Sequence, residues 1–90
     1  MNYTYILRCA DGTLYTGWTN DLARRVETHN RGRGGKYTRV RLPVTPVYAE
    51  PHESESDARR REVQIKRMTR AEKLRLIETG DPQWLEVRKD

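Results

Sequence analysis

Ninety residues suffice for one hydrophobic core and are too few for two, so a single small domain is expected. Eighteen Lys and Arg against thirteen Asp and Glu leave a formal charge of +5, which draws the chain toward polyanions such as nucleic acid or acidic membrane. Cys9 is the only cysteine, which excludes an intramolecular disulfide and a cysteine-rich zinc site.

No apolar run reaches bilayer length and the first residues lack a signal-like pattern, so an intracellular, cytoplasmic chain without membrane contact is expected. With 34% hydrophobic residues and no Phe, the core must rest on few Leu, Ile, Val, Tyr and Trp positions, and stability should be modest.

In chain order, Tyr3 to Cys9 is rich in aromatic and branched residues and runs into Asp11-Gly12, a hairpin signal. Leu14 to Trp18 then reads as the returning strand. Alternation places Tyr3, Tyr5 and Leu7 on one face of the first strand and Tyr15 and Gly17 on one face of the second, so the two tyrosines could stand side by side.

Thr19-Asn20-Asp21 offers N-cap chemistry, and Leu22, Val26 and His29 recur at helical spacing, predicting a first helix from Asp21 to Asn30. Residues 31–39, with three glycines, four cations and Tyr37, read as a flexible loop that orders against phosphates. Val44 to Ala49 alternates as a third strand, with Pro46 marking an edge or a strand start. Ser54 or Ser56 caps a second helix running to Met68. Thr69-Arg70-Ala71-Glu72 has the form of a capping box and opens a third helix that ends before Gly80.

The expected architecture is α+β: a small three-stranded antiparallel sheet flanked by helices, in the order β-β-α-β-α-α. Residues 1–80 form the domain and 81–90 a tail, pinned if at all by Trp84 and Leu85.

At 100° per residue from Leu22, Val26 lies at about +40°, His29 at about −20° and Arg25 at about −60°, while Arg24 at about 200° faces solvent. Arg25 thus borders the apolar stripe with His29 one turn on; a snorkelling arginine beside a satisfied histidine is the structural alternative to a functional pair. On the second helix Glu62 falls at about +40° from Ala58, beside Ile65, so a carboxylate points among core residues and needs a partner. Arg61 and Lys66 are in reach for an ordinary ion pair. Arg59, Arg60 and Arg61 read as a solvated face that also assists binding. No Cys-x-x-Cys pair, His-Glu-x-x-His motif, Walker loop or G-x-S-x-G elbow is present.

Taken together, Tyr3-Thr4-Tyr5, Tyr15-Thr16-Gly17, Leu22 to Asn30 and Glu62-Val63-Gln64-Ile65-Lys66 resemble, in order and spacing, the motifs of the GIY-YIG nuclease superfamily. The resemblance runs from Tyr3 to Ile77. It is strongest to small stand-alone bacterial members, which carry a Gly-Lys-Tyr-Thr-Arg segment like the one from Gly35 to Arg39. The eponymous Gly-Ile is replaced by Tyr3-Thr4, while the tyrosine that follows is kept as Tyr5.

The resemblance implies Tyr5 and Tyr15 as paired active-site tyrosines, Gly17 as a close-packing glycine, Arg25 as catalytic arginine and Glu62 as metal ligand; His29 matches a histidine of several branches. It implies a metal-dependent endonuclease with Mg2+, replaceable by Mn2+, acting on DNA ahead of RNA in repair or processing. Tyr5 is the first choice of base, with Tyr15 and His29 orienting water or phosphate, and Lys36, Tyr37 and Arg39 hold the strand, Tyr37 by stacking on a base. A nucleic-acid-binding module with weak or lost turnover is the alternative, and a protein partner or a homodimer is compatible with the small size.

Overall fold

The computed structural model describes residues 1–80; the tail expected at 81–90, with Trp84 and Leu85, lies outside the described residues. Strands β1 (Asn2–Arg8) and β2 (Leu14–Thr19) form the first hairpin. Its turn needs Gly12, at φ 85°, a conformation that an L side chain resists. The turn is stapled by the Asp11 carboxylate, which accepts from the Thr13 N–H at 3.0 Å and the Thr13 hydroxyl at 2.6 Å. These bonds hold the Asp11 carboxyl below the usual carboxylate range.

Strand β3 (Thr45–His52) pairs antiparallel with β1, giving the sheet order β2-β1-β3. The central strand is therefore the first in sequence, and the strand carrying Pro46 and Pro51 is an edge, where missing N–H donors are tolerated.

Helix α1 (Leu22–Asn30) starts at Asp21, whose side chain accepts from the Arg24 N–H. It covers one sheet face, burying Leu22 against Tyr5, Leu7, Cys9, Val44 and Ala49, with Tyr3, Tyr15, Val26 and Leu42 packed around them. Helices α3 (Glu55–Lys66) and α4 (Arg70–Thr79) belong to the other face, where Ile6, Tyr48 and Ile65 form a second core with Leu14, Val47, Met68, Leu76 and Ile77. Ser54 caps α3, and the box expected from Thr69 and Glu72 caps α4 with both reciprocal bonds. The sheet is thus the middle of three layers, and with so few apolar residues each face is sealed by a small cluster.

Segment 31–39 is not a featureless loop. Residues Lys36–Arg39 form a short helical turn, α2, tied down by contacts to α1 that the local composition does not announce. The third strand also runs three residues beyond Ala49, because Glu50, Pro51 and His52 continue the ladder opposite Thr4, Tyr3 and Asn2.

Helix α3 is oriented by two buried anchors: Ile65 is fully buried, and the Thr4 hydroxyl of the central strand donates to the Ala58 carbonyl at 2.7 Å. Replacing Ile65 by Ala should cost about 3 kcal/mol, since the site cannot collapse around the void. Val63→Ala, on the exposed side of the same helix, should change stability by less than about 0.5 kcal/mol. Urea unfolding of the two variants checks the orientation; equal effects would mean that α3 is turned differently.

Candidate active site

Tyr5 stands opposite Gly17 on β2 and Ala49 on β3, and Tyr15 stands opposite Leu7. The two tyrosines are therefore offset along the hairpin rather than directly paired, and the Tyr5 ring passes over the backbone of Gly17. A Cβ at position 17 would lie 2.5 Å from the Tyr5 hydroxyl oxygen and 2.7 Å from Cζ, closer than packed atoms approach. The glycine is required by this crossing, and nothing larger leaves room for the phenol.

The Tyr5 hydroxyl, from β1, is the meeting point of two side chains of α1. Arg25, from α1, donates its Nε–H to it at 3.4 Å, and His29 Nε2, one turn further along the same helix, lies 3.2 Å away. The other imidazole nitrogen, Nδ1, is 2.8 Å from the Thr38 hydroxyl on α2. His29 and Thr38 are both buried.

Burial, followed by the charge of Arg25, pushes the His29 pKa down to about 4, so the imidazole is neutral at pH 7 and has one donor and one acceptor nitrogen. The network then has a self-consistent direction: Arg25 Nε–H donates to Tyr5, Tyr5 O–H donates to His29 Nε2, and Nδ1–H donates to Thr38. Burial raises the Tyr5 pKa to about 12, outweighing the opposite pull of Arg25. Tyr5 is therefore firmly protonated in the resting protein, with only 1% of its surface exposed.

Arg25 is half-buried and is aimed from behind: its terminal nitrogen donates to the Gly34 carbonyl at 3.1 Å. Gly34 also lies so close under the His29 ring that an added Cβ would collide with Cγ, Nδ1 and Cε1. Asn30 completes the scaffold by clamping the Val44 backbone, donating to its carbonyl at 3.0 Å and accepting from its N–H at 2.7 Å. Thr38, Gly34 and Asn30 are the positions that sequence reasoning missed. A threonine in a basic loop carries no periodic signal, and one glycine among three gives no hint which one supports a ring.

Tyr15 is half-buried at the rim of the site. Its ring meets the edge of His29 with centroids 5.3 Å apart and stacks on Tyr37 at 6.0 Å with an interplanar angle of 25°. The Arg41 guanidinium also lies over the Tyr37 ring, 3.9 Å from its centroid. Arg41 is itself held by Asp11 at 3.1 Å and by the Tyr37 carbonyl at 2.8 Å. Tyr37 thus packs on Tyr15 and Arg41 while 40% of its surface stays exposed. Its place is that of a brace between the hairpin turn and α2. Lys36 and Arg39, on the same turn, are exposed and enter no ion pair among the described residues.

Glu62 lies on the sheet-facing side of α3, with 19% of its side chain exposed, and pairs with Lys66 at 3.1 Å. Of the two cations in reach, Lys66 is its partner; Arg61 turns instead to Glu50, at 2.7 Å. The Glu62 charge is near enough to contribute to the upward shift of Tyr5, so the carboxylate and the phenol share one field. Among the described residues no group of three His, Cys, Asp or Glu side chains gathers. A chelating cage is thus absent from that part of the chain, and a cation at Glu62 would draw its other ligands from water and substrate.

Comparison with known proteins gives a consistent picture. Residues 1–75 match the model of the GIY-YIG catalytic domain. A UPF0213 protein of Staphylococcus aureus (strain Mu3 / ATCC 700698) is 55% identical over 76 residues, covering 84% of this chain and 93% of the relative. The solution NMR structure of the UPF0213 protein BH0048 from Bacillus halodurans superimposes with a TM-score of 0.57 at 42% identity, covering 92% of this chain and 90% of the other. That of the protein EF2693 from E. faecalis gives 0.58 at 39% identity, with 87% and 83% covered.

Two outcomes follow from the geometry. The depressed pKa means that His29 is neutral when folded but binds a proton near pH 6.5 when unfolded. Stability therefore has its full His29 contribution above pH 6.5 and loses it as pH falls toward about 4, by at most roughly 3 kcal/mol. Urea titrations between pH 7 and 4.5 should show this slope in the parent and a flatter one in His29→Gln; parallel slopes would mean that His29 is not buried neutral. Gly34→Ala should destabilise by about 1–3 kcal/mol through overpacking and perturb the His29 ring resonances. An unaltered imidazole spectrum would show that the contact is absent.

Proposed function

Because this chain belongs to the GIY-YIG family, we propose that its site hydrolyses phosphodiester bonds, as a metal-dependent endonuclease acting on DNA in preference to RNA in repair or processing. The observation that carries the reading is the hydrogen-bonded chain Arg25–Tyr5–His29, set in a three-layer fold whose family model is that of a catalytic domain. A purely structural arginine would seek a carboxylate. Arg25 is bonded instead to a phenol and a carbonyl, which leave its positive charge uncompensated and available to a phosphate.

Each residue has a distinct part in this scheme. Arg25 would bind the nonbridging oxygens of the scissile phosphate and stabilise the charge that grows on them, an effect worth about 3 kcal/mol for comparable oxyanion donors. Tyr5 cannot act as a free phenolate, because a pKa of about 12 leaves almost none at neutral pH. It can accept a proton from the attacking water while handing its own to His29 Nε2, so the phenol stays neutral and the pair acts as one base.

His29 is a weak acceptor in the resting protein. Part of that weakness comes from the Arg25 charge, and a bound phosphate would offset that charge and raise the basicity of the imidazole when it is needed. Tyr15, at the rim, would orient the water or the phosphate. Thr38 would fix the tautomer, a positioning role.

Glu62 fits a divalent cation of the magnesium type. It offers one hard oxygen donor in a half-buried position, and Mg2+ is commonly held by one or two carboxylates with water and substrate phosphate completing its shell. Mn2+ would serve in the same way. The Lys66 partner is exposed on 53% of its side chain, so the pair costs little to exchange. When bound, the ion supplies positive charge at the leaving oxygen.

The test is incubation of the protein with labelled branched, single-stranded and duplex DNA and RNA, with Mg2+ and with chelator. Cleavage should require the metal and leave a 5′-phosphate and a 3′-hydroxyl. Arg25→Ala should lower kcat by about 10²–10³-fold, and Glu62→Gln should abolish metal-dependent cutting, both with unchanged far-UV circular dichroism. Undiminished cutting by either folded variant would remove the role assigned to that residue.

A further inference from the structure

The cations of this chain divide into two populations. On α3 they are neutralised by neighbours: Arg59 by Glu55, Arg60 by Asp57, Arg61 by Glu50 and Lys66 by Glu62. On α1 and the segment after it, Arg24, Arg33, Lys36 and Arg39 enter no ion pair among the described residues, and only Arg31 has a partner, Glu27. Unpaired cations therefore flank Arg25 on α1 and the turn after it, whereas those along α3 itself are neutralised; the other cations of the helical layers without an ion pair among the described residues, Arg67, Arg70, Lys73 and Arg75, lie at the end of α3 and on α4.

That side is not flat. A groove of about 480 Å³ opens between the outer face of α1 and the turn that follows it, lined by Arg24, Glu27, Thr28, Arg31 and Arg33. The turn is folded back onto the helix end by Arg31 N–H to Glu27 O at 3.0 Å, Gly32 N–H to His29 O at 2.9 Å and Arg33 N–H to Thr28 O at 3.1 Å. Gly32, at φ 79°, permits the reversal.

These bonds have two consequences. The terminal helix carbonyls, which would repel an anion, are already engaged, and Arg33 is carried back beside Arg24. With three guanidinium groups against one carboxylate, the groove keeps a net charge of about +2. The residue after Arg33 is Gly34, whose carbonyl holds Arg25, so adjacent residues of one turn link the groove to the catalytic arginine.

We propose that this groove is a second phosphate site, which takes a backbone phosphate of the bound strand flanking the scissile one and so sets the path of the nucleic acid over α1 rather than over α3. The assignment rests on the nuclease reading above, and it adds the side of approach and the residues that bind outside the catalytic centre. Arginine forks suit phosphate oxygens without reading sequence, so the site contributes affinity and register but no base preference.

Two double variants with the same change in net charge separate a local site from the general field: Arg24→Gln with Arg33→Gln, and Arg59→Gln with Arg60→Gln. Each is placed in a Glu62→Gln background, and binding to a fluorescent single-stranded DNA is followed by anisotropy over a series of KCl concentrations. Each lost phosphate contact lowers the salt slope by ~0.7 for a single strand, so the groove variant, which loses one, should lose ~0.7. Over a fourfold rise in salt the parent's affinity should then fall by about 2.6-fold more than that of the groove variant. The α3 variant should keep the parent slope.

A groove variant with the full slope, or an equal loss in both variants, overturns the proposal while leaving the nuclease reading intact. A parent that binds and cuts no nucleic acid overturns both. Inorganic phosphate at matched ionic strength serves as a final arm. It should displace the strand more readily from the parent than from the groove variant, and equal displacement from both overturns the local site.

Discussion

The Tyr5 hydroxyl is the point on which the site depends. It comes from the central strand, passes over a glycine of the neighbouring strand, and is bonded to two side chains from successive turns of one helix. Burial there has a definite electrostatic effect: it disfavours phenolate and imidazolium together, so Tyr5 keeps its proton and His29 remains an acceptor. Both shifts follow from desolvation, with Arg25 adding to the one at His29 and opposing the one at Tyr5. A binding event that offsets the charge of Arg25 would alter both at once.

The basic segment after α1 does more than carry charge. Thr38 touches the far nitrogen of His29, Gly34 touches its ring and supports Arg25, and Tyr37 braces Tyr15 with Arg41 behind it. Backbone and side chains of this segment therefore act as the rear wall of the site, while its cations face outward. The same economy holds on the opposite layer, where Glu50 accepts from Arg61, contacts His52 and is bonded by the Tyr48 hydroxyl. That cluster satisfies the polar groups at the open end of the sheet and draws Arg61 away from Glu62, leaving Lys66 as the partner of the carboxylate. A small domain with few apolar residues relies on such fully partnered polar groups to fix side-chain directions that packing alone would leave loose.

Much of this architecture was legible before any coordinates. Alternation in Tyr3 to Leu7, the Asp11-Gly12 turn, the cap at Asp21 and the box at Thr69 are local signals whose physics acts within a few residues, and each produced the element it announced. The i, i+4 spacing of Arg25 and His29 likewise put both on one side of a helix, and the inward direction of Glu62 followed from its angle to Ala58 and Ile65. Membership of the GIY-YIG family was also carried by the order and spacing of short motifs.

Tertiary structure decided what depends on partners far apart in sequence. Register set Tyr5 against Gly17 and moved Tyr15 along the hairpin, because a pairing offset is fixed by the turn and by both sheet faces together. The order of strands, the helical turn at Lys36–Arg39, the packing of Tyr37 on Tyr15 and Arg41 and the choice of Lys66 over Arg61 as the partner of Glu62 arose in the same way. So did the sorting of cations into neutralised and available sets, since charge along a sequence records how many ions there are, and only the fold determines which of them meet. The sequence by itself determined the elements and the inventory of reactive groups through local backbone and side-chain preferences; convergence of Arg25 and His29 on one buried hydroxyl required the long-range packing of a central strand between two layers of helices.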